Sequence, residues 1–240
     1  MTLTFDAVTF AYGWLKPPVL QAFDWSVPEG RTVLLGPNGA GKSTLLSLGA
    51  DALRPRRGRV RYGATSSPNE RRRKVGWMPQ HVRPFPGLTV REQVAYAGWL
   101  KGLAQSTAWT EAAGALELVG LGDLQDRRAS TLSGGQLRRL GIAQTLVHQA
   151  EVLLLDEPTA GLDPAQRARF RTVLTSLPQS SRIVVSTHQV DDLSDVYHHV
   201  VVLCEGTIRF QGAVDAFLAI ASAGDRRAER AYAAVMDVVA

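Results

Sequence analysis

Gly36-Pro37-Asn38-Gly39-Ala40-Gly41-Lys42-Ser43 is the stretch on which the reading of this 240-residue chain turns. It lies between a short apolar run, Thr32-Val33-Leu34-Leu35, and a run with helical spacing from Ser43 to Ala52. Strand, glycine-rich loop and helix in that order match the phosphate-binding loop pattern. The glycines let backbone N–H groups turn inward around an anion, and the positive end of the following helix adds to the attraction. In such a loop Lys42 is expected to reach the β- and γ-phosphates, Ser43 to ligate Mg²⁺, and Thr44 to sit near the α-phosphate.

Two more stretches carry chemistry. Val152-Leu153-Leu154-Leu155 reads as a buried strand that ends in Asp156-Glu157. Such a strand delivers Asp156 to a metal's outer shell, and Glu157 beside it can orient or deprotonate a water, help that is typically worth about 10²–10⁴ in rate. Alone, a strand ending in two carboxylates is common; the phosphate loop gives it weight. Leu132-Ser133-Gly134-Gly135-Gln136 leads into a helical run and forms a second anion site of N–H groups and a hydroxyl. Seen by itself it is equally a helix cap made by Ser133. The two phosphate sites are far apart in the chain and need not serve one nucleotide in one subunit.

Outward from these motifs the texture falls into blocks. Leu3, Phe5, Val8 and Phe10, then Val19-Leu20, Phe23, Trp25 and Val27, alternate like half-buried strands. Gly58 to Tyr62 and Val75 to Met78 read as further strands. From about Pro84 strand signal gives way to helical spacing over Thr89–Leu103, Thr107–Val119 and Gln136–Gln149. Strands then resume at Val152–Leu155, Arg182–Ser186 and Val200–Leu203, separated by helical runs, which argues for a parallel sheet. Ala213–Ile220 and Asp225–Val239 read as helices. The expected architecture is α/β: a mostly parallel sheet, an N-terminal antiparallel β subdomain and an inserted helical subdomain. Residues 1–83 and 150–240 would form the core and 84–149 the insertion, in a single domain over 1–240.

Composition narrows the class. About 45% of the residues are apolar, enough for a sizeable core. The single cysteine, Cys204, excludes an internal disulfide and reads as a buried strand residue in a protein of a reducing compartment. The first residues lack a signal-peptide layout, and no apolar run approaches the roughly 18–20 residues of a membrane-crossing helix. The net charge of +5 comes mostly from arginine groups, Arg54, Arg56, Arg57, Arg59 and Arg71, Arg72, Arg73, Lys74. Neither group is interleaved with aromatics, so they read as a solvated basic face and no nucleic acid is expected. His81, His148, His198 and His199 show no metal-ligand spacing.

Taken together, the motifs resemble those of the ATP-binding cassette (ABC) ATPases. Leu132-Ser133-Gly134-Gly135-Gln136 is similar to the family's signature sequence, and Gln80, after Met78-Pro79, resembles its Q-loop glutamine. Asp156-Glu157-Pro158-Thr159 resembles the end of the Walker B strand with its catalytic glutamate. Ala160-Gly161-Leu162-Asp163 resembles the D-loop, and His188 in Ser186-Thr187-His188 the switch histidine. Tyr12, in Phe10-Ala11-Tyr12-Gly13, falls where the family places an adenine-stacking aromatic, with Trp14 as its rival. The similarity runs from Tyr12 to about Gly212.

This resemblance implies ATP and Mg²⁺ as cofactors. It implies catalytic roles for Glu157, His188, Lys42 and Gln80, and metal contacts from Ser43, Gln80 and Asp156. Nucleotide contacts would come from Tyr12, Gly36, Pro37, Asn38, Gly39, Ala40, Gly41, Lys42, Ser43, Thr44, Ser133, Gly134, Gly135, Gln136 and Asp163. In the family two such subunits pack head to tail, so that the phosphate loop of one faces Ser133 and Gly135 of the other. Glu157 and the signature are both intact, so a homodimer would have two competent sites. Separate transmembrane permease subunits would dock on the insertion, especially Gln80–Leu103, and hold the subunit at the cytoplasmic face of the membrane. The C-terminal end is expected to be too short for a folded regulatory domain. Ser186–Asp192 and Arg138–Gln144 look similar to cassettes of ABC-2-type exporters, so export is the expected direction, with import, or a soluble non-transport ABC ATPase, as the alternatives.

Overall fold

A computed structural model describes residues 1–64, 67–190, 193 and 196–237. Three strands form the first sheet: β1 (Leu3–Phe10), β2 (Leu20–Ser26) and β4 (Arg57–Tyr62), in the antiparallel order β2-β1-β4. The buried positions of β1 change phase, from Leu3 and Phe5 to Val8 and Phe10. A bulge at Ala7, with φ of 47°, resets the alternation and keeps all four side chains inward.

The second sheet has six strands in the order β5-β6-β7-β3-β8-β9. These are β3 (Gly30–Leu35), β5 (Val75–Met78), β6 (Val152–Asp156), β7 (Arg182–Thr187), β8 (His199–Cys204) and β9 (Thr207–Ala213). All neighbours are parallel except β8 and β9. Every residue of β3, β6 and β7 is buried, as continuous apolar runs in a two-sided sheet require.

The period-2 alternation of those central strands divides the core in two. Val33, Leu35, Leu153, Leu155 and Val185 face one cluster, shared with Val90, Val94, Leu116 and Leu140 of the helices beyond. Leu34, Leu154, Val184 and Val201 face the other, shared with Phe5, Trp25 and Leu45. The antiparallel sheet and α1 (Lys42–Gly49) therefore cover one face of the parallel sheet, and helices cover the other. The latter include α3 (Val90–Leu100), α4 (Gln105–Leu118) and α5 (Gly134–Leu146). Reciprocal capping boxes start two of them, Thr89 with Glu92 on α3 and Ser133 with Gln136 on α5. The helices α6 (Pro164–Ser176), α7 (Val214–Leu218) and α8 (Arg227–Asp237) complete the chain, and the expected helical end at Val239 lies outside the described residues.

Three details depart from the sequence reading. Strand β9 is missing from it: Ile208 and Phe210 alternate with exposed Thr207, Arg209 and Gln211, a signal too thin to stand out. Helix α2 (Pro68–Lys74) is also missing, and one of its arginines is not on a solvated face. Arg71 is 5% exposed, pairs with Asp51 at 2.5 Å and donates to the Val60 carbonyl at 2.6 Å, which ties α2 to β4 and to the turn after α1. Cys204 does end a strand, but it is only half-buried beside the turn into β9.

A buried histidine gives the fold an acid-sensitive seam. His148, just past α5, is 9% exposed, and Lys101, just past α3, donates to the Arg72 and Val75 carbonyls, both at 2.8 Å. Burial, and then the Lys101 charge beside it, pull the His148 pKa down to about 4, against a smaller opposing effect of the Val75 backbone. The unfolded chain takes up this proton near pH 6.5 while the native state refuses it down to about 4. Stability is therefore fully present above pH 6.5 and lost as the pH falls from there to 4, by up to about 3 kcal/mol. His148→Gln is expected to flatten this part of the profile of melting temperature against pH. Parallel wild-type and variant profiles between pH 4 and 6.5 would show that His148 does not titrate there.

Candidate functional site

The strand order places the chemistry before any side chain is considered. β5, β6, β7 and β3 are consecutive neighbours, all parallel, so their carboxyl ends lie along one edge of the sheet. Gln80 follows β5 by two residues, Asp156 ends β6 with Glu157 next, His188 follows β7 by one, and Gly36–Ser43 follows β3. Ligands of open α/β sheets bind outside this edge.

A cleft of about 490 Å³ opens there, lined by Tyr12, Val19, residues 37–44, Gln80 and Glu157. Its floor is the loop between β3 and α1. Gly36 packs so closely on β8 that a Cβ would lie 2.2 Å from the Leu203 carbonyl oxygen. Gly41 starts α1 in the left-handed region, φ 103°, with Val19 3.2 Å from where a Cβ would stand. Lys42 is 6% exposed and its ammonium curls back over the loop, donating to the Gly36 carbonyl at 2.6 Å and the Pro37 carbonyl at 3.1 Å. Burial holds its pKa below the ordinary lysine value, opposed by the charges of Glu157 and Asp156. Among the described residues no carboxylate pairs with this cation, and its place beside a helix N-terminus favours an anion in the cleft.

At one wall the Tyr12 hydroxyl and the Thr44 hydroxyl share a hydrogen bond of 2.9 Å, and Phe10 meets the Tyr12 ring edge-on at 5.0 Å. Tyr12 is thereby tied to the loop by its hydroxyl, while the residue as a whole is 61% exposed. Trp14 does not line the cleft; it is 90% exposed and lies against Arg56.

Glu157 is the carboxylate that lines the cleft, and Asp156 and His188 adjoin it without entering the lining. Asp156 and Glu157 are 2% and 5% exposed. Glu157 takes a left-handed backbone, φ 49°, where the chain leaves β6. His188 Nδ1 lies 3.0 Å from Glu157 Oε1. Ser186, on β7 opposite Asp156, is fully buried; its hydroxyl donates to Asp156 Oδ1 at 2.6 Å and accepts from the Glu157 N–H at 3.0 Å. Sequence reasoning passed over Ser186 and Val19. The parallel register of β6 with β7 would have found the first; nothing in the sequence singles out the second.

Ser133, Gly134, Gly135, Gln136 and Asp163 do not line this cleft. They form a second cluster, in which Ser133 caps α5, Asp163 caps α6, and Gly135 leaves room for the Gln166 side chain of α6. The clusters are joined indirectly: Arg138, on α5, donates to the backbone carbonyl of Gln80. Asp191 and Asp192 lie outside the described residues.

The glycine loop between β3 and α1, on a mostly parallel sheet with an added antiparallel one, defines a P-loop NTPase fold. The sequence profile of the ABC transporter family matches residues 20–160, well over half of the chain. The chain belongs to the ABC transporter family and carries its ATP-hydrolysing, ATP-binding domain.

Its relatives include the cobalt import ATP-binding protein CbiO of Rhodobacter capsulatus, 38% identical over 90% of this chain and 80% of that protein. The daunorubicin/doxorubicin resistance ATP-binding protein DrrA of Streptomyces peucetius is 38% identical over 78% of this chain and 60% of that protein. The chain thus spans most of the first relative's length but less than two thirds of the second's. Among solved structures, cbiO1 of Clostridium perfringens, part of the ABC transporter complex cbiONQ, superposes with a TM-score of 0.76 at 28% identity, over 90% of each chain. A dimeric ATP-binding cassette bound to ADP and Pi superposes with a TM-score of 0.77 at 23% identity, over 88% of this chain and 98% of that one.

Proposed function

We propose that this chain binds and hydrolyses Mg·ATP at the carboxyl edge of its parallel sheet, and thereby powers a transporter whose membrane-crossing subunits are separate polypeptides. The observation that carries the reading is the Glu157–His188 pair, 3.0 Å apart, set against a cleft floored by the Gly36–Thr44 loop. Tyr12 stacks on the adenine, the loop N–H groups and Lys42 hold the β- and γ-phosphates, and Thr44 lies by the α-phosphate. Glu157 orients and deprotonates the attacking water, Gln80 contacts it from the neighbouring strand end, and His188 bridges Glu157 to the γ-phosphate.

The donor set suits Mg²⁺. Ser43 and Gln80, which line the cleft, would hold it through a hydroxyl and a carboxamide, with the single carboxylate of Asp156 in its outer shell, all hard oxygen donors, and substrate phosphates complete such a site. Among the described residues there is no cluster of three or more His, Cys, Asp or Glu, so an all-protein cage is not the arrangement. When bound, the ion neutralises charge on the β- and γ-phosphoryl oxygens.

The signature cluster lies outside the cleft, which fits a head-to-tail pair in which Ser133, Gly134, Gly135, Gln136 and Asp163 of one chain close on the nucleotide of the other. Among the described residues no helix is long and apolar enough to cross a membrane. In this reading separate partner subunits make the crossing and hold this chain at the cytoplasmic face. Export is our first reading of direction, on the similarity of Arg138–Gln144 and Ser186–Asp192 to export cassettes. Import is the second, favoured by the CbiO relative at 38% identity over most of both chains.

The reading is tested by ATP turnover of the purified chain with Mg²⁺ and with excess chelator, alongside light scattering. Expected are Mg²⁺-dependent phosphate release and a rise in mass from monomer to dimer on adding ATP. Turnover unaffected by the chelator, or no ATP binding at all, would sink it.

A further inference from the structure

Ser186 is a fully buried side chain that touches both carboxylate residues of the site, and the motif Ser186-Thr187-His188 gives a role to His188 alone. Its hydrogen bonds have a fixed direction. A carboxylate only accepts and a peptide N–H only donates. The hydroxyl must therefore give its proton to Asp156 Oδ1, at 2.6 Å, and take the N–H of Glu157 on its oxygen, at 3.0 Å.

The same residue's carbonyl also accepts from the Glu157 N–H, at 3.2 Å. That amide is thus clamped twice where the backbone turns left-handed, φ 49°, a conformation uncommon for any residue but glycine. Two positions further on, the same strand end supplies His188, whose Nδ1 lies 3.0 Å from Glu157 Oε1. One strand end therefore grips Glu157 at its backbone and at its carboxylate.

We propose that Ser186 is a positioning residue for hydrolysis: its hydroxyl locks Asp156 and Glu157 into one rigid unit, so that the carboxylate on the metal side and the carboxylate on the water side keep a fixed spacing. This rests on the reading of Glu157 as the group that activates water. Ser186 is absent from the lining of the cleft, behind the residues that would meet a nucleotide. Its loss is therefore expected to slow the chemical step while leaving ATP binding alone. A hydrogen bond to a buried charged group governs about a tenfold effect or more.

The experiment compares Ser186→Ala, Ser186→Thr and Glu157→Gln with wild type in the full chain, reading kcat, KM for ATP, equilibrium binding of a fluorescent ATP analogue and melting temperature. Ser186→Ala is expected to lower kcat about tenfold with KM and binding within about twofold of wild type. Ser186→Thr, which keeps the hydroxyl, is expected to recover most of that loss. A kcat for Ser186→Ala within about twofold of wild type overturns the proposal, as does an equal loss of nucleotide binding, or a threonine variant as slow as alanine. Glu157→Gln separates the two readings. If that variant is inactive while Ser186→Ala is normal, only this inference fails; if it turns over ATP like wild type, the role of Glu157 fails and that of Ser186 falls with it.

Discussion

Replacing Glu157 by glutamine is expected to cut ATP turnover by about 10²-fold or more, while ATP still binds and the dimer accumulates. Glutamine has the same shape, so the clamp of Ser186 on the backbone N–H and a hydrogen bond toward His188 both survive. What disappears is the ability to take a proton from water. With the γ-phosphate uncleaved, the contacts that join phosphate loop and signature persist, and the equilibrium between separate and paired subunits shifts toward the pair. Phosphate release and light scattering on the same sample read both effects. A variant with wild-type turnover would remove Glu157 from the mechanism; a dead variant that never pairs would separate hydrolysis from dimerisation.

The second large effect concerns the sharing of each site between two chains. Lys42→Ala removes the ammonium that lies 2.6 Å from the Gly36 carbonyl. Ser133→Arg places a cation and a long side chain on the turn that caps α5. Each variant alone is expected to be inactive, since every site in its homodimer carries the lesion. Mixed, the two form hybrid dimers in which one site collects both lesions and the other collects none. Random pairing then restores about a quarter of wild-type turnover, because half the dimers are hybrids and each has one intact site of two. If each chain used its own signature, the mixture would stay as inactive as its components, and the head-to-tail arrangement would be wrong.

What could be read in the sequence and what could not follow from the range of the interactions involved. The loop Gly36–Ser43, the strand ending in Asp156-Glu157 and the cap at Ser133 are local: each is a short run whose residue types dictate its own backbone. The two kinds of sheet were legible for the same reason, since Val152–Leu155 is a continuous apolar run and Leu3–Phe10 mixes apolar and polar residues. β9 was not, because an edge strand needs apolar residues on one side only, and Ile208 and Phe210 are too few to declare it. Arg71 was misplaced because its partner, Asp51, is brought to it by the packing of α2 on β4. The separation of Tyr12 from Trp14 likewise awaited the Thr44 hydroxyl, which stands 32 positions away in the chain. Ser186 escaped because its importance lies wholly in a neighbour across a parallel register.

The two outer strands of the six-stranded sheet decide how copies of this protein can meet. β5 has only four residues, and β9 carries Arg209 exposed in the middle of its length. A short strand and a strand bearing an exposed charge are poor templates for another chain's backbone, so sheet-to-sheet annealing of the kind that seeds aggregates is discouraged at both borders. Reversible pairing is left to surfaces whose affinity a small molecule can turn on and off, and a crowded compartment full of identical copies need not drive them into fibres.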